Sequence, residues 1–223
     1  MRDLFPPENI SRDADAGVRD FLRKANAKHQ ARVGDDSLLA DRMRSYELAA
    51  RMQLSVPDVS KLDDEPKSIT DDYGLHEEAT QEFARRCILG RRLLERGVRF
   101  VQIYAGSLIH WDAHDKIREN HGNNARAIDK PVAGLVRDLK QRGMLDDTLV
   151  LFTTEFGRTP YTQAGGGTLG TGRDHNMYGF SVFMAGAGLK PGMNYGATDE
   201  LGWKSVENQV PWYDFHATVL HLL

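Results

Sequence analysis

The chain has 223 residues, of which 40% are hydrophobic and 27% charged, and its formal net charge is −3. This length and composition fit one folded domain with a helical extension. The balanced charge excludes the basic face of a nucleic-acid-binding protein. The single cysteine, Cys87, excludes an internal disulfide, and no run approaches the ~20 apolar residues of a membrane-spanning helix.

The first third of the sequence predicts helices and a linker, over residues 1–75. Apolar residues recur at helical spacing in 13–33, and Asp and Ser at 35–37 are typical N-caps for a second helix that runs to residue 54. Residues 55–74 are rich in turn formers and acidic groups, which predicts a loop. This region is interpreted as an extension of the part that follows.

Residues 76–223 alternate between helical and strand patterns, which is typical of an α/β domain. The predicted elements are helices at 76–96, 125–142 and from 213, and strands at 98–104, 149–152 and 178–185. The strands are short and apolar, as expected where both faces of a sheet are covered. The sequence therefore predicts an α/β fold with a parallel-dominated sheet flanked by helices. Cys87 falls in the first of these helices, where a packed thiol is favoured over a nucleophile.

Three polar clusters follow or separate the predicted strands: 111–114 (WDAH), 155–158 (EFGR) and 172–176 (GRDHN). Connections between parallel strands are right-handed, so the loops at the carboxyl ends of the strands meet at one edge of the sheet. We therefore expect the three clusters to converge. A glycine-rich stretch lies between the second and third clusters, but it lacks the Lys-Ser/Thr pair of a phosphate-binding P-loop.

The converging side chains are those that bind divalent cations. The candidate ligands are Asp112, His114, Glu155, Asp174 and His175. Imidazole with carboxylate suits Zn, Mn or Fe, and carboxylate alone suits Mg or Ca. Three of the candidates have a simpler alternative: His114 as a cap of the following helix, Glu155 as a turn cap or a partner of Arg158, and Asp174 as a partner of an arginine.

Arg158 and Arg173 are candidate anion contacts at the same edge. A guanidinium group presents a planar pair of donors that matches phosphate or sulfate oxygens. For each arginine the alternative is a salt bridge to Glu155 or Asp174. The anion that these arginines would bind is a phosphate or sulfate group.

Seven motifs in order carry a resemblance to a known family. They are 46–52 (YELAARM), 96–102 (RGVRFVQ), 111–114 (WDAH), 145–148 (LDDT), 155–160 (EFGRTP), 172–175 (GRDH) and 196–199 (GATD). Together they resemble the domain-of-unknown-function 1501 family, which is sulfatase-like and belongs to the alkaline-phosphatase-like superfamily. The resemblance covers nearly the whole chain.

That resemblance implies a metal-dependent hydrolase of phosphate or sulfate esters. By it, Asp112 and His114 form one ligand pair, Glu155 is another ligand, and His175, with Asp174, contributes a third. The superfamily has a histidine where this chain has Phe156, so one metal site is altered.

The superfamily's nucleophile and first aspartate lie in an amino-terminal half, so the resemblance implies that this chain is a carboxyl-terminal portion, inactive by itself. The full-length protein is expected to be exported or periplasmic. The alternatives are a non-catalytic sulfatase-like module for binding or assembly, and a metal-dependent sugar-phosphate mutase.

Overall fold

A computed structural model of the chain describes residues 11–34, 37–105, 111–162 and 170–223. The chain divides into two compact units, Met1–Asp64 and Glu65–Leu223. The sequence predicts the boundary between the helical region and the α/β part at residue 75, about eleven residues after the boundary in the structure. Among the described helices, none is both long enough and apolar enough to cross a bilayer.

The first unit contains two long helices. Helix α1 spans Arg12–Val33, and its N-cap Ser11 accepts a hydrogen bond from the backbone amide of Ala14 at 3.1 Å. Helix α2 spans Ser37–Ser60 and so continues through part of the predicted loop. The predicted cap at 35–37 falls partly outside the described residues.

Helices α3, α4 and α5 form the core of the second unit. They span Lys67–Tyr73, Gln81–Glu95 and Ile117–Gln141, and a final helix, α6, spans Trp212–Leu222. Helix α3 lies within the predicted loop, so the loop prediction for 55–74 is wrong over much of its length. The fully buried core side chains include Tyr73, Cys87, Ile88 and Leu139.

A buried ion cluster joins these helices. Arg91 Nη2 donates to Glu65 at 2.7 Å, and Arg91 Nε lies 3.0 Å from an Asp138 carboxylate oxygen. The three side chains are between 2 and 4% exposed. Tyr73 also donates to Asp138 at 3.0 Å. Burial lowers the pKa of Arg91, but the hydrogen bonds and charges of Glu65 and Glu95 outweigh it, so the pKa lies above its ordinary value.

The described strands form three antiparallel pairs. Strand β1 (Leu149–Phe152) pairs with β4 (Phe183–Gly186), β2 (Gly157–Thr162) with β3 (Arg173–Asn176), and β5 (Ala197–Thr198) with β6 (Ser205–Glu207). The mixed α/β character is thus confirmed.

The parallel-dominated sheet, by contrast, does not occur in the described part of the chain. Parallel neighbours need a crossover connection, usually a helix. Between β1 and β4 the described chain instead forms the β2–β3 hairpin, and β4 returns antiparallel to β1.

The prediction of a strand at 98–104 is wrong: the segment is irregular and pairs with no strand among the described residues. Two of its side chains lie against α4: a Cβ placed on Gly90 would stand 2.8 Å from Ile103 and 3.5 Å from Val101. Arg86 Nη1 also donates to the carbonyl of Tyr104 at 2.8 Å. The segment therefore packs on a helix, and helix α5 does not act as a crossover between two paired strands.

The two predicted buried strands are only partly covered. Leu151 and Phe152 on β1 are 37% and 41% exposed, and Phe183 on β4 is 45% exposed. The prediction of strands covered on both faces is wrong for this pair, because one two-stranded ribbon cannot bury both of its own faces.

Candidate metal centre

The β2–β3 hairpin and the loop before α5 bring the candidate residues together. Arg158 on β2 lies opposite His175 on β3 as a cross-strand pair. The loop at 111–116 lies against β3, since Arg173 donates its backbone amide to the carbonyl of Ala113 at 3.4 Å. Ile117, the first residue of α5, donates to the carbonyl of Thr171 at 2.9 Å. The convergence predicted from a parallel sheet is therefore achieved by a hairpin.

A glycine makes the close approach of loop and strand possible. Gly172 is buried, and a Cβ on it would stand 1.8 Å from the carbonyl oxygen of His114. Any other residue would require one of the two backbones to move.

Three ligand-type side chains meet at the hairpin. Asp112, His114 and His175 each offer one ligand atom, and these atoms lie within 4.8 Å of one another. His114 Nε2 is 2.9 Å and His175 Nε2 is 2.8 Å from the same carboxylate oxygen, Asp112 Oδ1. The side chains are 64%, 37% and 42% exposed, so solutes can reach them.

Arg158 is the fourth member of the cluster. Its Nη2 donates to Asp112 Oδ1 at 2.6 Å and to the carbonyl of Trp111 at 2.9 Å, and its Nη1 donates to the carbonyl of Arg173 at 3.3 Å. Hydrogen bonds from Arg158 and then His175 hold the pKa of Asp112 well below its usual range. The carboxylate is therefore ionised at neutral pH, as a metal ligand must be.

Phe156 packs on the cluster. Its ring is stacked on His175, with centroids 4.0 Å apart and planes 26° apart, and the Arg158 guanidinium carbon lies 5.9 Å from the Phe156 centroid. The superfamily resemblance predicts only a departure here, a phenylalanine in place of a histidine. In the structure the Phe156 ring covers one face of a candidate ligand.

Two predicted ligands lie outside the group. Glu155 is exposed in the bend between β1 and β2, and it is not one of the residues whose ligand atoms cluster. Asp174 is exposed on β3, where its Oδ1 accepts the backbone amide of His175 at 2.7 Å. Successive strand residues point to opposite faces, which explains why His175 reaches the cluster and Asp174 does not. For both carboxylates the ligand role stays a prediction.

Arg173 also stays at the edge of the cluster. Its Nη1 donates to the carbonyl of Gly172 at 2.8 Å. Neither predicted salt bridge is present in these contacts: Arg158 binds Asp112 rather than Glu155. One further residue, His121 in α5, supports the loop, since its Nε2 is 3.0 Å from the carbonyl of Trp111 and the two rings lie 5.3 Å apart.

The sequence matches the family described as "Protein of unknown function (DUF1501)" over residues 1–223. The chain belongs to this family. No curated protein and no solved structure matches the sequence. The family resemblance predicted from seven motifs is thus confirmed at the level of the DUF1501 family itself, which carries no assigned activity.

Proposed function

We propose that Asp112, His114 and His175 bind a divalent cation, and that this centre serves the hydrolysis of phosphate or sulfate esters. The observation that carries the proposal is the convergence of two imidazole nitrogens and one ionised carboxylate within 4.8 Å. Three protein ligands with solvent on the remaining side are typical of a catalytic metal site, in which the open position takes water or substrate.

The ligand types favour a transition metal. Two imidazoles with one carboxylate suit Zn or Mn better than Mg or Ca, which prefer oxygen ligands. A cation bound there would act as a Lewis acid toward an ester oxygen. One cation could contact all three side chains, because their ligand atoms lie within 4.8 Å of one another.

The substrate class follows from the charge beside the ligands. Arg158 is 16% exposed and is held in place by two backbone carbonyls, so its guanidinium is a positioned donor for an oxyanion. Arg173, on the neighbouring strand, adds a second positive charge. The resemblance to sulfatase-like proteins supports the ester chemistry.

A second function is favoured by one observation. Phe156 covers one face of His175 at 4.0 Å, and the described residues hold a single group of ligand-type side chains rather than two. A centre with one cation and no second ligand group also suits a non-catalytic sulfatase-like module that binds an anionic partner. Cation binding without turnover would identify this alternative.

The cation site is tested by calorimetry on protein stripped with a chelator. We expect Zn²⁺ or Mn²⁺ to bind with one site per chain, and His114→Ala, His175→Ala and Asp112→Asn to weaken binding by about tenfold or more, as losses at metal sites do. Glu200→Gln, at an exposed carboxylate outside the cluster, is the matched control and is expected to bind normally. The proposal fails if none of Zn, Mn, Mg or Ca binds, or if His114→Ala leaves binding unchanged.

The hydrolase activity needs a separate test. Aryl phosphate and aryl sulfate esters are offered to the protein in which this sequence occurs, with and without Zn²⁺ or Mn²⁺. Metal-dependent turnover supports the hydrolase. A protein that binds the cation and turns over neither ester supports the non-catalytic module.

A further inference from the structure

A single carboxylate oxygen receives three donors at the candidate centre. Asp112 Oδ1 lies 2.6 Å from Arg158 Nη2, 2.8 Å from His175 Nε2 and 2.9 Å from His114 Nε2. A carboxylate oxygen carries about two lone pairs, so three partners already crowd it. A cation that bound at this oxygen would have to displace at least one of them.

The three partners differ in what they can become. A neutral imidazole can carry its proton on Nδ1 and turn the Nε2 lone pair toward a cation, so His114 and His175 can change from donors to ligands. Arg158 has no such option, because guanidinium keeps its protons and offers no lone pair. Arg158 is therefore the one partner that must compete with a cation for Asp112.

Arg158 would not leave the site when it releases Asp112. Its Nη2 carries two hydrogens, one directed to Asp112 and one to the carbonyl of Trp111 at 2.9 Å. Nη1 donates separately to the carbonyl of Arg173 at 3.3 Å. The second Nη2 hydrogen bond and the Nη1 bond do not involve the carboxylate, so they can hold the guanidinium beside the centre.

We infer that Arg158 occupies the cation's position on Asp112 when no cation is bound. When a cation binds Asp112, one Nη2 hydrogen bond of Arg158 changes its acceptor from Asp112 to an incoming oxyanion. This change of acceptor is called the exchange below. The cation and the anion then bind with positive coupling, and the arginine that blocks the carboxylate without metal becomes the anion contact with metal. This inference rests on the proposed cation site and adds its regulation: the anion site is formed only after the cation is bound.

The test uses Zn²⁺ and inorganic sulfate with three proteins: the unmodified chain, Arg158→Gln and Arg173→Gln. Arg173→Gln is the matched control, since it removes one positive charge on the neighbouring strand but no contact with Asp112. We expect Arg158→Gln to bind Zn²⁺ about tenfold more tightly than the unmodified chain, within the usual range of coupling between sites. The control should change Zn²⁺ affinity far less.

The coupling to the anion gives the second readout. In the unmodified chain, saturating Zn²⁺ should raise sulfate affinity about fivefold or more. In Arg158→Gln most of this increase should disappear, whereas it should persist in Arg173→Gln.

Two results would count against the inference. If Arg158→Gln binds Zn²⁺ no more tightly than the unmodified chain, the exchange is wrong while the cation site stands. If none of the three proteins binds Zn²⁺, both the exchange and the proposed function are overturned.

A measurement on the unmodified chain covers the case in which Arg158→Gln does not fold. Nitrogen-15 resonances of the Arg158 guanidinium report its hydrogen bonds directly. Addition of Zn²⁺ should shift the Nη2 resonance. Sulfate added afterwards should shift the Arg158 guanidinium resonances again. Unchanged Arg158 signals at saturating Zn²⁺ would overturn the exchange.

Discussion

The backbone of Gly172 passes so close to the carbonyl oxygen of His114 that an added Cβ would stand 1.8 Å away. Both contacting groups are backbone, so no side-chain rotation can relieve the overlap. The distance between the candidate ligands on the loop and the candidate ligand on β3 depends on this contact. Their geometry should therefore be sensitive to a single methyl group placed at residue 172.

Gly172→Ala is expected to push the 111–114 loop away from β3. The free energy of unfolding should fall by about 1–3 kcal/mol, as for other overpacked sites, and Zn²⁺ affinity should fall with it. Chemical denaturation and calorimetry measure the two effects. Gly17→Ala in helix α1 is the control, because a Cβ there meets nothing within 4 Å; it should stabilise its helix by about 0.5–1 kcal/mol. Normal Zn²⁺ affinity in Gly172→Ala would show that the geometry of the candidate ligands does not depend on the backbone contact at residue 172.

Phe156→Leu should weaken cation binding without removing a ligand. Aromatic pairs contribute about 0.5–1.5 kcal/mol beyond their buried area, so losing the stack on His175 should cost roughly two- to tenfold in Zn²⁺ affinity. Calorimetry on chelator-treated protein measures the change. The same substitution at Phe183, an exposed residue of β4, controls for the loss of a ring. Equal affinities for the two variants would show that the stack does not orient His175.

Arg91→Met should be strongly destabilising. It removes the cation that Glu65 and Asp138 share, although Glu65 keeps Arg92 and Asp138 keeps Arg142 as a partner. Removing the sole partner of a buried charge typically costs about 3–5 kcal/mol, so a somewhat smaller loss of about 2–4 kcal/mol is expected here. Urea denaturation measures the loss. Arg137→Ala breaks an exposed pair with Asp72, in which the two side chains are 49% and 44% exposed, and should cost less than about 1 kcal/mol.

Cys87 should be inert in the folded protein. Its side chain is 0% exposed, and burial raises the pKa of the thiol to about 12. Because the thiolate is the reactive form, a disulfide reagent at pH 8 should label the native protein only as fast as it opens. Addition of denaturant should release one reactive thiol per chain. Rapid labelling of native protein would show that helix α4 opens around residue 87.

Helices were predictable from the sequence to the extent that their signals are local. Apolar spacing and terminal glycines predicted α1, α4 and α5, although α5 begins at Ile117 rather than at 125. Pro57 and the acidic residues around it favoured a loop over 55–74, yet α2 continues to Ser60. Local propensity is a weak preference that packing overrides.

Strand pairing was not predictable, because it depends on contacts distant in sequence. Residues 98–104 have a strong strand composition and still pack on α4. The clustering of residues 111–114 with His175 was expected, but for a different topological reason. The sequence offered no means of separating Asp174 from His175, since only the register of β3 with β2 decides which of two neighbours faces the loop.

The candidate ligands are also far apart along the chain, with Asp112 and His175 separated by 63 residues. An unfolded chain therefore has no preformed chelate, and a cation can bind tightly only after the hairpin has docked on the loop. Binding restricted to the native state adds RT ln(1 + [L]/Kd) to stability, about 2.7 kcal/mol at a hundredfold excess over Kd. The concentration of free cation would thus set the fraction of unfolded protein available to chaperones and proteases, and with it the lifetime of the protein.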